Sequence, residues 1–149
     1  MLAIALALAA TATCPFENAQ YHLRHMEAVT LTFTSVATSR DWPSGVALAV
    51  HYKSSGHTNY FLPWNGGNDG RKNVAHTTDV TRSDFKLPSP DGGPSRLGDM
   101  VYNILDEIPK KGEVAPAHIL IPDLSDSDWK DDATVKQFFD LDGCIPPRS

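Results

Sequence analysis

Two stretches of the chain alternate apolar and polar residues with a period of two, which limits the folds open to it. Residues 29–34 alternate Val, Leu and Phe with threonine, and a second alternating run covers residues 46–52. Successive side chains of a β-strand point to opposite faces, so each run predicts a strand with one buried face. A third strand is predicted from 57 to 62, after a turn at Ser54-Ser55-Gly56.

The second and third strands can be paired as a hairpin closed by the three residues of that turn. In this register Lys53 lies opposite His57, and His51 lies opposite Asn59. The pairing places apolar side chains on one face of both strands and polar side chains on the other, an order that a one-residue slip would destroy. The sequence therefore predicts an antiparallel hairpin with this register.

Later segments are less uniform. Further strands are predicted at 73–81 and at 116–124, where Pro122 ends the apolar run, while residues 100–108 fit a helix or a strand equally well. Ser125 or Asp126 can cap a final helix that Gly143 ends. The inward face of that helix would be formed by Trp129, Ala133, Val135, Phe138 and Phe139.

Several strands at short spacing, followed by these helices, predict a mostly β fold. The expected architecture is an antiparallel β-sandwich or small barrel with one or two short helices late in the chain. A compact α+β fold is the alternative. The 149 residues suit one domain, expected over 13–149.

Charge is concentrated in one segment. The formal net charge is −5, and residues 123–142 hold seven aspartates against two lysines. No basic stripe is present to neutralise phosphates, which argues against a nucleic-acid partner. An acidic run of this kind is typical of a solvated helix face.

Residues 1–12 are typical of a signal peptide. A run of Leu, Ile and Ala covers residues 2–10 and is followed by small residues that suit signal peptidase. The run is too short to cross a bilayer, so no membrane span is expected in the mature chain. Because no Lys or Arg precedes the run, a buried strand or helix of the mature fold is the alternative. The sequence favours export to the periplasm or the extracellular space.

The two cysteines lie near opposite ends of the sequence. In an exported chain Cys14 and Cys144 predict one disulfide that ties the ends of the domain together. The alternative is a lipoprotein in which Cys14 is acylated and Cys144 remains unpaired. Thr11-Ala12-Thr13 is a poor match to the sequences that precede an acylated cysteine, which favours the disulfide.

Common catalytic motifs are missing from the sequence. It contains no Gly-x-Ser-x-Gly, no His-Glu-x-x-His, no phosphate loop ending in Gly-Lys-Ser/Thr and no Cys-x-x-Cys. These absences favour a binding domain over the common enzyme families, and we expect no cofactor.

Histidines supply the alternative. If His51 and His57 share a face of the hairpin, they lie about 7 Å apart as diagonal neighbours. His76 or Asp79 on the next strand could then complete a zinc site. Histidines on the solvated face of a sheet are the simpler interpretation, and the sequence favours it. The metal site would make the protein a small extracytoplasmic hydrolase, as would a His/Asp pair.

A glycine-rich loop after the third strand offers the better ligand site. It places Trp64 beside polar groups, so that the ring can cover an apolar face of a sugar while the polar groups fix its orientation. The structural alternative is that Trp64 closes the end of the core. The expected polar contacts are Asn65, Asn68, Asp69 and Arg71.

Taken together, these features predict an exported, non-catalytic domain that binds a small ligand or a cell-envelope protein. The support is the β-rich scaffold with long loops, together with the missing catalytic motifs.

Overall fold

The computed structural model describes residues 13–64, 73–89, 109–123 and 135–145. They form one antiparallel sheet of seven strands, curled into a half-barrel, with the strand order β5-β4-β3-β2-β1-β7-β6. The mostly β prediction is confirmed at this level. A short 3-10 turn at Phe16–Asn18 precedes the first strand. The strands are β1 (Ala19–Leu23), β2 (Met26–Ser35), β3 (Val46–Tyr52), β4 (His57–Trp64), β5 (Asn73–Thr77), β6 (His118–Asp123) and β7 (Val135–Cys144).

The alternating runs form the centre of the sheet, as predicted. Along β2 and β3, Leu31 lies opposite Val50 and Phe33 lies opposite Leu48, and all four side chains are buried. Directly opposite residues of an antiparallel pair share a face, so these side chains build one apolar surface, here called the core face. The main hydrophobic cluster on it includes Tyr21, Tyr52, Phe61, Ile119, Ile121 and Phe139.

The opposite face, here called the outer face, holds a buried apolar cluster at the β3–β5 end. A second cluster there places Trp42 against strands β3 to β5, and the indole N–H of Trp42 donates to the Pro88 carbonyl at 2.8 Å. Elsewhere this face carries threonine, histidine and aspartate side chains, together with the neighbouring pair Leu120 and Phe138 on β6 and β7. The buried members of the second cluster are Trp42, Ala47, Leu62, Ala75 and Val80.

The ends of the described chain meet at β1 and β7. Cys14 is bonded to Cys144, with a Cα–Cα distance of 5.5 Å, so the predicted disulfide is confirmed. Ala19 pairs with Cys144 at the start of the β1–β7 ladder. The sequence analysis does not predict strand β1. It lies between β2 and β7 in the sheet and so connects strands β2 to β5 with strands β6 and β7.

The predicted helix after residue 125 is wrong where it can be compared with the structure. Residues 135–144 form β7, which pairs with β1 on one side and β6 on the other. Phe139 is fully buried and Phe138 is 45% exposed, which is the alternation of a strand. Pairing on both sides outweighs the helical pattern. The structure contains no α-helix among its described residues, and 100–108 and 124–134 lie outside them.

The hairpin is present, but its predicted register is wrong by one residue. Tyr52 pairs with His57, and His51 pairs with Thr58. The turn needs four residues because Gly56 takes a positive φ of 72° and donates its N–H to the Tyr52 carbonyl at 2.8 Å. This shift exchanges the faces of every β4 side chain relative to β3.

The neighbouring strands also end at different residues than expected. Strand β4 continues through Pro63 to Trp64, and β5 ends at Thr77 instead of Thr81. The last pair of the β4–β5 ladder joins Tyr60 to Thr77. Strand β6 matches the run predicted at 116–124, although it extends past Pro122 to Asp123. No helix among the described residues is long and apolar enough to cross a membrane.

Candidate functional site

Trp64, the centre of the predicted ligand loop, lies at the end of β4. Its ring packs beside Trp42, with a distance of 6.0 Å between ring centroids, and it joins the second hydrophobic cluster as a half-buried member. The polar contacts expected around it are Asn65, Asn68, Asp69 and Arg71, and they lie outside the described residues. A ligand site in this loop therefore stays a prediction.

The structure separates one histidine of the predicted metal site from the other two. His51 lies on the outer face, where its Nδ1 is 2.9 Å from the Thr58 hydroxyl oxygen. His57 lies opposite Tyr52 and His76 lies opposite Phe61, so both share the core face. The one-residue difference in register is the physical reason. Within the described ranges, no three His, Cys, Asp or Glu residues are placed to hold a metal ion.

A cavity of about 480 Å³ lies beside the first half of β4. It is lined by residues 56–60 on one side and by 76–79 on the other. The reason for the cavity is the unequal length of two neighbouring strands. Because β5 ends opposite Tyr60, residues 57–59 have no partner strand on that side among the described residues. The cavity occupies the space that a longer β5 would fill.

Two buried polar residues are described in the lining of this cavity, Asn59 and Thr77, and Asn59 is the more deeply buried. Its side chain is 2% exposed and its Oδ1 lies 2.8 Å from His57 Nε2. Its Nδ2 has no hydrogen-bond partner among the described residues. An unsatisfied buried group of this kind costs about 1–3 kcal/mol, which makes Asn59 a site where stability is lost.

The rim of the cavity carries a negative charge. The hydroxyl and the N–H of Thr81 donate to the Asp79 carboxylate at 2.6 and 2.9 Å, which lowers the pKa of Asp79. The carboxylate is therefore ionised at neutral pH. Burial, and then the charge of Asp79, raises the pKa of the neighbouring Tyr60, which stays neutral. Among the described residues that line this cavity there is no lysine or arginine.

The outer face holds a second cavity of about 420 Å³. Its floor includes Thr32, His51 and Thr58, and the last two are hydrogen-bonded to each other. Of the buried side-chain polar atoms that the structure describes, the one without a partner belongs to Asn59. The described lining of the second cavity therefore contains no buried side-chain polar atom without a hydrogen-bond partner.

A charged cluster lies on the outer face of β1, β7 and β6. Arg24 donates to both carboxylate oxygens of Asp140, at 2.6 and 2.8 Å, and His118 contacts the same carboxylate at 2.7 Å. His22 pairs with Asp142. These contacts hold the pKa of Asp140 well below its usual range, chiefly through the Arg24 hydrogen bonds. The charges in this cluster are paired with one another.

Comparisons with protein-family models, with curated proteins and with solved structures found no match to this chain.

No pattern in the sequence indicates the β4–β5 cavity. The predicted register placed Asn59 on the solvated face of the hairpin, where an asparagine needs no protein partner. Two histidines of the predicted metal site, His57 and His76, line the cavity together with Asn59. The third, His51, is not among the described lining residues. Only the pairing of the strands shows that the amide is buried.

Proposed function

We propose that this protein is an exported, non-catalytic domain that binds a polar ligand in the β4–β5 cavity. The observation that carries the proposal is Asn59, a residue of the cavity lining whose buried amide has one polar end without a partner among the described residues. Buried polar groups in folded proteins are almost always hydrogen-bonded. A bound ligand that supplies the missing hydrogen bond accounts for the exception.

Export is supported by the disulfide. A bond between Cys14 and Cys144 persists in an oxidising compartment and is rare in the reducing cytosol. The pairing uses both cysteines of the chain, which disfavours acylation of Cys14. Residues 1–12 as a signal peptide remain a prediction, in line with this location.

The charge of the cavity limits the ligand. Asp79 at the rim is ionised, and no lysine or arginine is found in the described part of the lining, which together disfavour an anion. The lining offers an amide, threonine hydroxyls and imidazoles, which suit a neutral or cationic ligand with both hydrogen-bond donors and acceptors. The ligand must bring at least one such group to Asn59.

The hydrolase alternative receives less support. His22–Asp142 and His118–Asp140 are His/Asp pairs, but neither pair lines the two cavities described above. Asp140 is also held by Arg24. A general base needs to reach a bound substrate, and these pairs face solvent on the sheet surface.

A ligand screen by nuclear magnetic resonance tests the proposal. Isotope-labelled protein is titrated with neutral oligosaccharides, polyamines, short peptides and dicarboxylates, and the side-chain amide resonances of Asn59 are followed. We expect saturable shifts with neutral or cationic probes and none with dicarboxylates. Asn59→Leu should abolish binding, whereas Thr32→Val on the outer face should not. Shifts that centre on the outer face, or binding that survives in Asn59→Leu, would contradict the site.

A further inference from the structure

The Asp79 carboxylate gives more information about the ligand of the β4–β5 cavity. Asp79 lines the cavity, and its pKa is lowered chiefly by hydrogen bonds from the Thr81 hydroxyl and N–H, with a smaller contribution from the Tyr60 hydroxyl. Both Thr81 bonds end on the same oxygen, Oδ1. An ionised carboxylate has about four acceptor positions, so Asp79 can still accept a donor from a ligand.

Asp79 has no ion-pair partner in the part of the chain that the structure describes. The ion pairs found there all use other carboxylates. Arg82 contributes to the lowered pKa of Asp79, but its guanidinium donates to both carboxylate oxygens of Asp84, at 2.9 and 3.0 Å. An unpaired carboxylate on an open surface is simply solvated, whereas Asp79 places its charge in a cavity that also holds Asn59.

Tyr60 adds an aromatic ring beside this charge. Its pKa is raised by burial and then by the charge of Asp79, so the phenol and the carboxylate are neighbours. A cation within about 6 Å of an aromatic ring is attracted to the face of the ring. Hydrogen bonds between a cation and a carboxylate are also stronger than those between neutral groups. This end of the cavity therefore favours an ammonium group over a neutral donor.

Asn59 determines the second contact of the ligand. Its Nδ2 is a donor without a partner among the described residues, so the group that reaches it must be an acceptor, such as a hydroxyl oxygen. Asn59 is one residue away from the last β4–β5 pair, Tyr60 and Thr77, and Asp79 is two residues away from it. At about 3.3 Å per residue, both lie within about 7 Å of that pair along the chain. One small molecule can therefore contact both residues.

We propose that the ligand is a small amine that also carries a neutral oxygen acceptor, as amino alcohols and amino sugars do. Its ammonium group pairs with the Asp79 carboxylate beside the Tyr60 ring, and its oxygen accepts the hydrogen bond from Asn59 Nδ2. This inference rests on the proposed function and names the class of ligand for the same cavity.

Matched probes test the two contacts separately. Aminopropanol is titrated into isotope-labelled full-length protein beside propanediol, which lacks the charge, and propylamine, which lacks the oxygen. Glucosamine and glucose form the corresponding sugar pair, and the shifts of the Asn59 side-chain amide give the dissociation constants. We expect each hydroxylated amine to bind about threefold to tenfold more tightly than its counterparts that lack one group. The tighter of the two amines identifies the source of the shared chemistry, a linear amino alcohol or a sugar.

Two variants show whether Asp79 holds the ammonium group. Asp79→Asn removes the charge and keeps an oxygen that can accept from Thr81. It should lower the affinity for the amines to that of the neutral probes and leave the neutral probes unchanged. Glu17→Gln is the matched control, because Glu17 lines the second cavity and accepts from the Gly112 N–H at 2.8 Å, a bond that glutamine can keep. It should change none of these dissociation constants.

Wild type provides a further readout that needs no variant. Added salt screens the attraction between charges, so it should weaken the binding of aminopropanol and leave that of propanediol unchanged. Equal affinity of wild type for these two probes would overturn the ammonium inference. So would amine binding that survives in Asp79→Asn or that falls in Glu17→Gln instead. If propanediol or glucose shifts Asn59 in those cases, the proposed function stands without a cationic ligand. If no probe shifts Asn59, the proposed function fails and this inference fails with it.

Discussion

The two sides of the sheet differ in how completely their polar groups are paired. Around β1 and β7, a disulfide joins Cys14 to Cys144 and the Asp140 carboxylate accepts from Arg24 and His118. Beside the first half of β4, the buried amide of Asn59 has one end without a partner in the part of the chain that the structure describes, and Asn59 lines a cavity there. The β1–β7 region raises the free energy of unfolding, whereas the unpaired amide beside β4 lowers it.

That difference indicates where function lies. Elsewhere in the described fold, surface charges are paired and a disulfide links β7 to the residues before β1. A fold of this kind does not require an unpaired buried amide, because leucine could occupy the position of Asn59. Residues that lower stability without a structural benefit are typical of binding sites. The comparison therefore favours the β4–β5 cavity, and it can be tested by measuring what each region contributes to folding.

The largest effect is expected at the disulfide. A Cys14→Ala and Cys144→Ala double variant loses a cross-link between residues 130 positions apart. We expect the free energy of unfolding to fall by about 2–5 kcal/mol, because the unfolded chain regains the entropy that the cross-link removes. Urea unfolding of oxidised wild type and of the variant measures it. A loss under about 1 kcal/mol would show that the β1–β7 side does not depend on this bond.

The next effect distinguishes the strand β7 from the helix that the sequence suggested. Phe139 is fully buried and Phe138 is 45% exposed. Phe139→Ala should cost about 3–5 kcal/mol through lost burial and a residual cavity. Phe138→Ala should cost about 1 kcal/mol or less, since the ring is half-exposed and the Arg24 guanidinium lies over it, 4.9 Å from the ring centroid. Equal losses by urea unfolding would favour a helix with both rings inward.

The disulfide and strand β7 also show which parts of the fold can be predicted from the sequence. Period-two alternation predicted β2 and β3 correctly, and the apolar run at 119–121 predicted β6, because burial on one or both faces leaves a direct trace in composition. The disulfide followed from cysteine count. Strand β7 was missed because its Phe138 and Phe139 are adjacent, which fits the inward face of a helix, and its pairing partners are distant in sequence.

The candidate site depended on details that no local pattern records. One residue more in the turn before Gly56 moved Asn59 from the solvated face to the core face. The end of β5 at Thr77 then opened the cavity beside it. Turn geometry and strand length are set by tertiary packing. The sequence therefore indicates His57 and His76 as candidate residues, but it does not show that the amide of Asn59 is buried beside them.

A smaller effect is expected at the charged cluster and depends on pH. The Arg24 hydrogen bonds, and then His118, lower the pKa of Asp140 in the folded protein. A depressed carboxyl pKa stabilises the fold above the unfolded value of about 3.9, and this contribution is lost as the pH falls below it. Asp140→Asn should therefore be less stable than wild type at pH 7, with a difference that shrinks towards pH 2.

Asp84→Asn provides the matched control. Arg82 lowers the pKa of Asp84 too, but the two residues are only two positions apart and both side chains are exposed. Such a local pair also forms in the unfolded chain, so its loss should change stability little at any pH. Urea unfolding at a series of pH values compares the two variants. A constant difference between wild type and Asp140→Asn would show that the network around Asp140 contributes no charge-dependent stability.

The most direct test compares a satisfied buried polar group with the unsatisfied one. Ser44 is 4% exposed and its hydroxyl donates to the Pro109 carbonyl at 2.5 Å. Ser44→Ala should cost about 1–3 kcal/mol, because it leaves that carbonyl without its partner. Asn59→Leu should cost nothing or raise stability, since it removes the unpartnered amide and fills part of the cavity while His57 can bond water instead. Equilibrium urea unfolding of both variants beside wild type gives the two values. An Asn59→Leu variant that loses as much stability as Ser44→Ala would mean that the amide is structural and that the β4–β5 cavity is not a binding site.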